Sequence, residues 1–177
     1  MSVRLTIRDL HADESDALGR LRKALESGVD RHHQAAEQPQ YYEMLARIGD
    51  FARQPATRVL VATDEEGRLV GGVVCFSDMA HYGSGGSATS IKNATGIRLL
   101  GVDPALRGSG AGKALTLACI ALARERGHSQ VILHTTQAMQ IAWGLYERLG
   151  FVRSEDLDFL QQGFPVFGFR LRLAAAA

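Results

Sequence analysis

The chain has 177 residues, 46% of them apolar and 22% charged, with 20 basic side chains against 19 acidic ones. That length suits one domain with a sizeable core, and a net charge of +1 offers no basic excess to hold a polyphosphate backbone, which counts against a general nucleic-acid binder. No apolar run approaches the eighteen or so residues of a membrane span.

In chain order, Val3 to Arg8 alternates with period two and reads as an opening strand. Interleaved charge also sets this stretch apart from a secretory leader. Asp13 is placed to cap a helix with Asp16 in its first turn, Leu18, Leu21 and Leu25 on one face and Gly28 as its stop. A second helical stretch runs from Tyr41 to Phe51, and Pro55 prevents it from continuing. Arg58–Thr63 and Leu69–Phe76, joined by Asp64–Arg68, read as a hairpin. Ser77 to Gly96 is rich in Gly, Ser and Thr and reads as a loop, mobile or facing a substrate.

The second half alternates cleanly. Ile97–Val102 reads as a strand, Gly110–Arg126 as a helix stopped by Gly127, and Gln130–Thr135 as a strand. Thr136 is placed to cap a helix through Leu149, with Phe151–Arg153 and Val166–Leu173 as closing strands. Strand and helix alternation of this kind builds an α/β sheet covered by helices. We expect one domain over residues 1–177 with a frayed tail at 174–177. Cys75 and Cys119 stand in apolar stretches without metal-type spacing, which reads as reduced, buried thiols in a cytoplasmic protein.

The most informative stretch is Val102-Asp103-Pro104-Ala105-Leu106-Arg107-Gly108-Ser109-Gly110-Ala111-Gly112-Lys113. It joins a strand to a helix and carries three glycines at alternate positions. Such a loop can turn its amides onto one cluster of ligand oxygens, and the helix start adds a positive dipole end. A Walker A loop fails twice here: its first glycine position holds Arg107 and its hydroxyl position holds Ala114. A dinucleotide fingerprint needs glycine where Lys113 stands, or where both Arg107 and Ser109 stand. A glycine-rich turn that serves packing alone is the plain structural alternative.

The spacing Arg/Gln-x-x-Gly-x-Gly/Ala fits without a miss at Arg107, Gly110 and Gly112, and resembles the coenzyme A loop of the GNAT N-acetyltransferase superfamily. A second block, Ala142-Trp143-Gly144-Leu145-Tyr146-Glu147-Arg148-Leu149-Gly150-Phe151, resembles that family's Ala-x-x-Leu-Tyr-x-x-x-Gly-Phe segment. The clear resemblance covers residues 97–153. It implies an α/β (α+β) fold, with a mixed, mostly antiparallel central sheet flanked by helices and a splayed central strand pair at the coenzyme. It implies acetyl-CoA as co-substrate, no metal, and transfer of the acetyl group to a primary amine. The backbone of Leu100 and Val102 is then expected to pair with the pantetheine arm, and Gly108, Ser109, Gly110, Ala111, Gly112 and Lys113 to hold the pyrophosphate, with Arg107 adding charge.

Tyr146 stands where the family often places a tyrosine near the coenzyme sulfur, a position for the acid that protonates the leaving thiolate. Packing in an apolar helical face with Met139, Ala142 and Trp143 is its structural alternative. The base is less direct. Many relatives carry a glutamate at the position of Gly96, and others carry one at the position of His134. A histidine titrates near neutrality and suits removal of an ammonium proton, while a satisfied structural histidine explains His134 equally well. Asp78, His81, Tyr82 and relayed water are weaker candidates, and Met139 replaces a customary asparagine, with Gln137 or Gln140 as stand-ins. His32-His33 reads as a polar loop rather than a metal site.

By resemblance, acceptor specificity lies in Ala12–Asp50, Ser77–Gly96 and Asp156–Pro165, none of which presents a dense acidic patch. A small-molecule amine acceptor is expected, without nucleic acid or membrane partners. A peptide N-terminus, or an acyl-CoA-binding module without turnover, is the alternative. Phe164–Phe169 is apolar enough to seek a partner if it forms a sheet edge, and a homodimer is expected on that ground.

Overall fold

The computed structural model describes residues 4–18, 48–83, 85–103, 106, 108–136, 140–161 and 163–174. Most of the expected first helix beyond Leu18, His32-His33, Tyr41-Tyr42 and the start of the second helix, Arg107, and Gln137 to Met139 lie outside those residues. The fold is mixed α/β, with an eight-stranded, mostly antiparallel sheet and helices. Two compact units make it up, Met1–Val74 with Leu99–Ala118 and Cys75–Arg98 with Cys119–Ala177.

In the first unit, β1 (Thr6–Asp9) lies antiparallel to β2 (Thr57–Thr63), with Thr6 opposite Thr63 and Asp9 opposite Leu60. Arg58 adds a bidentate pair across them, its Nε and Nη2 reaching Asp9 at 2.9 and 2.8 Å. The turn into the expected helix is a 3₁₀ segment, Ala12–Glu14. The His11 amide donates to Glu14 Oε1 at 2.9 Å, so Glu14 rather than Asp13 does the capping. Ile48–Arg53 is likewise 3₁₀, where the apolar spacing predicts α-helix. The hairpin strand β3 (Leu69–Phe76) is buried along nearly all its length, which is why it reads as an unbroken apolar run. Gly72 accepts the Leu18 side chain where a Cβ would stand 2.9 Å from its Cδ1. Val59, Val61, Val70, Val73 and Val74 are all at least 98% buried, each contributing about 1.5–3 kcal/mol of apolar transfer.

In the second unit, β4 (Ala94–Val102, continuing into the first unit) pairs in parallel with β5 (Gln130–Thr136), and the register ends at Ile97 opposite Leu133. Two residues later Leu99 takes a left-handed backbone with φ 59°, a conformation rare outside glycine. Helix α1 (Ala111–Glu125), which starts in the first unit and enters the second at Cys119, precedes β5 and is followed by Gly127 at φ 72°, as its sequence predicts. Helix α2 is described over Gln140–Arg148, and β5 runs one residue beyond the predicted strand, to Thr136. Strand β4 begins three residues before the predicted Ile97, so Ala94, Thr95 and Gly96 belong to the sheet.

The C-terminal expectation needs one correction. Strand β8 (Phe164–Arg172) is paired on both sides: with β5 along Gln130–Thr136, and with β6 (Val152–Arg153) and the unpredicted β7 (Phe159–Gln161). The apolar Phe164–Phe169 run is therefore an interior strand. Its hydrophobicity serves the sheet, and it supplies no edge for a homodimer.

Candidate active site

In the first unit the glycine loop is organised by backbone hydrogen bonds, the first of them to β3. The Asp103 amide donates to Val70 O at 2.6 Å, Leu106 to Asp103 O at 2.9 Å, and Ser109 to Leu106 O at 3.1 Å. Gly108 and Gly110 have φ of 86° and 89°, and among the described residues no atom lies within 4 Å of the Cβ that either lacks. Packing therefore does not demand these glycines; the left-handed turn does. Helix α1 starts one residue later with no acidic side chain in its first turn. Ala114 donates to Gly110 O at 2.9 Å, and the first amides of a helix such as α1 have no intrahelical acceptor.

Ser109 sharpens this picture. Its Oγ is buried and has no hydrogen-bond partner among the described residues, a condition that costs free energy unless something else fills it. An orphan hydroxyl, two open left-handed glycines and an acid-free helix N-terminus fit an anionic pyrophosphate. The residues expected to hold coenzyme A, Gly108 to Lys113, are thus in a suitable conformation, and Leu100 and Val102 lie in β4. Arg107 is outside the described residues.

In the second unit a polar cluster sits among aromatic rings. His134, on β5, uses both ring nitrogens: Nδ1 lies 2.8 Å from Tyr82 Oη and Nε2 lies 2.8 Å from Leu157 O. A carbonyl can only accept, so Nε2 carries the hydrogen, and Nδ1 accepts from the Tyr82 hydroxyl. Burial pushes the His134 imidazole below its usual range, and Arg98 opposes its protonation, while the Leu157 carbonyl and the Asp158 carboxylate favour it. Tyr82 is fully buried, and that burial pushes its phenol well above the usual range. Arg98 donates from Nη1 to Tyr82 O at 2.9 Å and lies 5.8 Å from the ring centroid.

The glycine at position 96 is explained by the same tyrosine. A Cβ there would stand 2.5 Å from Tyr82 Cδ2 and 2.9 Å from Met79 Sδ. No carboxylate can be carried at Gly96 while Tyr82 packs as it does. Tyr82 is held in turn by Phe76, edge-on at 5.6 Å, and by the 3₁₀ turn Met79–His81 that Asp78 caps through Ala80 N at 2.9 Å.

Two of the expected acceptor segments, Ser77–Gly96 and Asp156–Pro165, meet above His134. The Phe159 ring packs edge-on to the imidazole at 5.2 Å. Gly85 and Gly86 back Phe159 so closely that Cβ atoms there would lie 2.8 and 3.2 Å from it. Ser87 Oγ donates to Asp156 O at 2.8 Å. Beneath, Asp158 accepts a fork from Arg153 at 2.9 Å on each oxygen and the Gly168 amide at 2.7 Å, which holds its carboxyl below the ordinary range.

Tyr146, on α2, is 6% exposed and lies edge-on to Phe151 at 5.8 Å. Its ring centroid also lies 6.4 Å from that of Phe169. The cluster thus joins His134 and Tyr82 by a hydrogen bond. The sequence reading ranked Tyr82 low and did not find Leu157 or Phe159; the bare Gly96 was the only sign that a large side chain had taken a carboxylate's place. Asp78 is a cap rather than a neighbour of His134. One acidic cluster outside this site, His11, Asp13 and Glu14, is mostly exposed, and its Glu14 is already committed to Arg8 at 2.7 and 2.8 Å.

Among the described residues no helix is long and apolar enough to cross a membrane. The model of the acetyltransferase (GNAT) family matches residues 21–151, more than half of the chain. Similar proteins include the mycothiol acetyltransferase of Pseudarthrobacter chlorophenolicus, 34% identical over 77% of this chain and 40% of its own. That of Thermobispora bispora is 51% identical over 32% of this chain and 19% of its own. The chain thus spans well under half the length of these relatives. A GNAT-family acetyltransferase from Staphylococcus aureus has the same fold, with TM-score 0.74 at 16% identity, covering 97% of this chain and all of that one. So has the PaiA N-acetyltransferase of Thermoplasma acidophilum in complex with coenzyme A, with TM-score 0.68 at 15% identity over 96% and 99%. With a family model matched over most of its length and the fold to go with it, the chain belongs to the acetyltransferase (GNAT) family.

Proposed function

We propose that the chain is a single N-acetyltransferase domain that moves an acetyl group from acetyl-CoA to a small-molecule primary amine by direct attack on the thioester. The observation that carries this reading is the glycine loop, with its open left-handed turns, its orphan Ser109 hydroxyl and its acid-free helix start. Gly108 to Lys113 hold the pyrophosphate by their amides, and Arg107 and Lys113 add charge. Leu100 and Val102 offer backbone groups to the pantetheine arm.

The amine nitrogen attacks the thioester carbon, His134 receives its proton, and Tyr146 protonates the departing thiolate. Burial keeps His134 neutral near pH 7, the form a base needs. The curated relatives named for mycothiol support a small-molecule acceptor. The near-neutral charge balance supports a reading without nucleic acid partners, and the buried Cys75 and Cys119 thiols support a reducing, cytoplasmic setting.

A thermal-shift titration tests the loop. Acetyl-CoA or coenzyme A at a hundred times its dissociation constant stabilises by about 2.7 kcal/mol, a shift of several degrees, whereas NADP and ATP leave the midpoint unmoved. No shift and no binding with either coenzyme refutes the assignment. Tyr146→Phe is expected to lower turnover about 100-fold with coenzyme affinity kept; binding of acetyl-CoA without thiol release in the parent protein would instead establish a sensor module.

A further inference from the structure

Arg98 is the charged side chain of the cluster to which acetyl transfer gives no task. The β4–β5 register ends with Ile97 opposite Leu133, and Arg98 and His134, the next residues on the two strands, fall on the same face of the sheet. Both flank one tyrosine. Arg98 donates from Nη1 to Tyr82 O at 2.9 Å, with its guanidinium carbon 5.8 Å from the ring centroid, and the His134 imidazole lies 5.6 Å from the same ring. Tyr82 itself has no exposed surface, whereas Arg98 and His134 are only half-buried. Gly83, at φ 73°, leaves room for the guanidinium, since a Cβ there would stand 3.1 Å from Arg98 Nη1.

The charge on Arg98 is not balanced within the fold. Among the described residues no carboxylate pairs with it, while Arg153 and Arg170 of the same unit pair with Asp158 and Asp156 at 2.9 and 3.1 Å. Asp158, two residues from the His134-bound Leu157, is already held by Arg153 and by the Gly168 amide. With Nη1 turned onto a carbonyl, the Nε and Nη2 edge of Arg98 remains, and such an edge meets a carboxylate with two parallel hydrogen bonds. The pantetheine arm and the thioester are uncharged, and the coenzyme's phosphates are assigned to Gly108 to Lys113. The counter-charge therefore falls to the acceptor.

We propose that Arg98 recognises the acceptor through a carboxylate, and that the acceptor is an amino acid. This deepens the acetyl-transfer reading above and rests on it. Arg98 takes the carboxylate on its Nε and Nη2 edge, and the amine lies beside His134 on the neighbouring strand. Phe159, edge-on to the imidazole at 5.2 Å, offers an apolar surface to the amino acid's side chain. The same cation disfavours an acceptor of high positive charge, such as a polyamine.

The test measures thiol release from acetyl-CoA with the coded amino acids, β-alanine and 4-aminobutyrate, each beside its amide and its decarboxylated amine, and with spermidine. The preferred amino acid is expected to exceed its amide and its decarboxylated twin about 10- to 100-fold in kcat/KM, the worth of hydrogen bonds to a charged group. Arg98→Gln keeps an N–H donor for Tyr82 O and should collapse that ratio by raising KM for the amino acid, while Arg98→Lys, a charge without a fork, should keep part of it. A loss shared equally by the amino acid and its twin, with the ratio intact, is that of a residue that merely supports Tyr82 and overturns the proposal. Equal rates for amino acid and amide in the parent protein, a preference for spermidine, or coenzyme binding with no amino acid consumed overturn it as well, and these need no variant to fold.

One readout does not depend on turnover. With free coenzyme A in place of acetyl-CoA, the preferred amino acid is expected to shift the Arg98 Nε–H resonance and its decarboxylated twin is not; an unmoved resonance at saturating amino acid overturns the assignment. If acetyl-CoA neither binds nor is consumed by the parent protein, the acetyl-transfer reading falls with the acceptor class that rests on it. If amines are acetylated without regard to a carboxylate, only the role of Arg98 falls.

Discussion

The glycine loop and the His134 cluster are both built around a histidine or glycine that a motif search would single out, yet they owe their shape to opposite kinds of interaction. The loop is local. Its turns close between residues three or four apart, Ser109 on Leu106 and Ala114 on Gly110. The cluster is assembled from afar, with Tyr82 and His134 52 positions apart and Leu157 a further 23 beyond. A contiguous device is written in consecutive letters, whereas an assembled one shows only as gaps, such as the glycine at position 96.

The comparison can be broken first at the loop, where the largest effect is expected. Gly110→Val forces a β-branched residue to φ 89° in otherwise open space. The backbone strain is about 1–3 kcal/mol. Relieving it re-aims the amides at the helix start, so affinity for coenzyme A should fall about 10- to 100-fold in a calorimetric titration. Thermal stability without coenzyme should fall only by the part of that strain that the turn does not relieve. An unchanged affinity would mean that the loop's conformation is not what recognises the ligand.

The cluster should respond in the opposite sense. Gly96→Ala places a Cβ 2.5 Å from the Tyr82 ring, within a strand and against a side chain with no exposed surface. Overpacking of this kind costs about 1–3 kcal/mol, read as a drop of several degrees in the melting midpoint, while coenzyme affinity stays. Restoring the family's carboxylate with Gly96→Glu should therefore damage the protein and not rescue a base. A stable, more active Gly96→Glu would show that Tyr82 yields its place readily.

Legibility follows the same division. The β2–β3 hairpin, α1 with its Gly127 stop and most of β5 and β8 could be read, because each is a run of side chains with one period. β7 could not, since Phe159–Gln161 is too short to show one. Ala94-Thr95-Gly96 looked like loop because its residues are small and polar, and only pairing with Gln130–Ile132 makes it strand. The apolar Phe164–Phe169 run was read as an edge because hydrophobicity reports burial without saying what lies on either side. At the candidate site, His134 and Tyr146 are proposed from their spacing to neighbouring blocks, but the tautomer of His134 depends on a carbonyl at Leu157 that no side-chain pattern announces.

The smallest effect separates the two regions by pH. His134 is pushed below its ordinary pKa by burial, and His128 is pushed the same way by burial and Arg126. A histidine whose folded pKa is depressed binds fewer protons folded than unfolded once the pH falls below the unfolded value of about 6.5. Stability must then decline as the pH drops from there toward the folded pKa, by at most about 1.4 kcal/mol per pH unit for each such proton. Carboxylates do not confuse this window. Glu14, lowered to about 2 by its fork from Arg8, and Asp158, lowered by Arg153, keep their contributions until the pH falls below the ordinary carboxylate range. Urea unfolding at steps from pH 7.5 to 5 should show the decline. His134→Gln, which keeps a polar group of similar reach but cannot titrate, should reduce the slope to the part owed to His128. An unaltered slope in that variant would mean that His134 takes up its proton in the folded protein as readily as in the unfolded chain, and that burial does not hold it neutral.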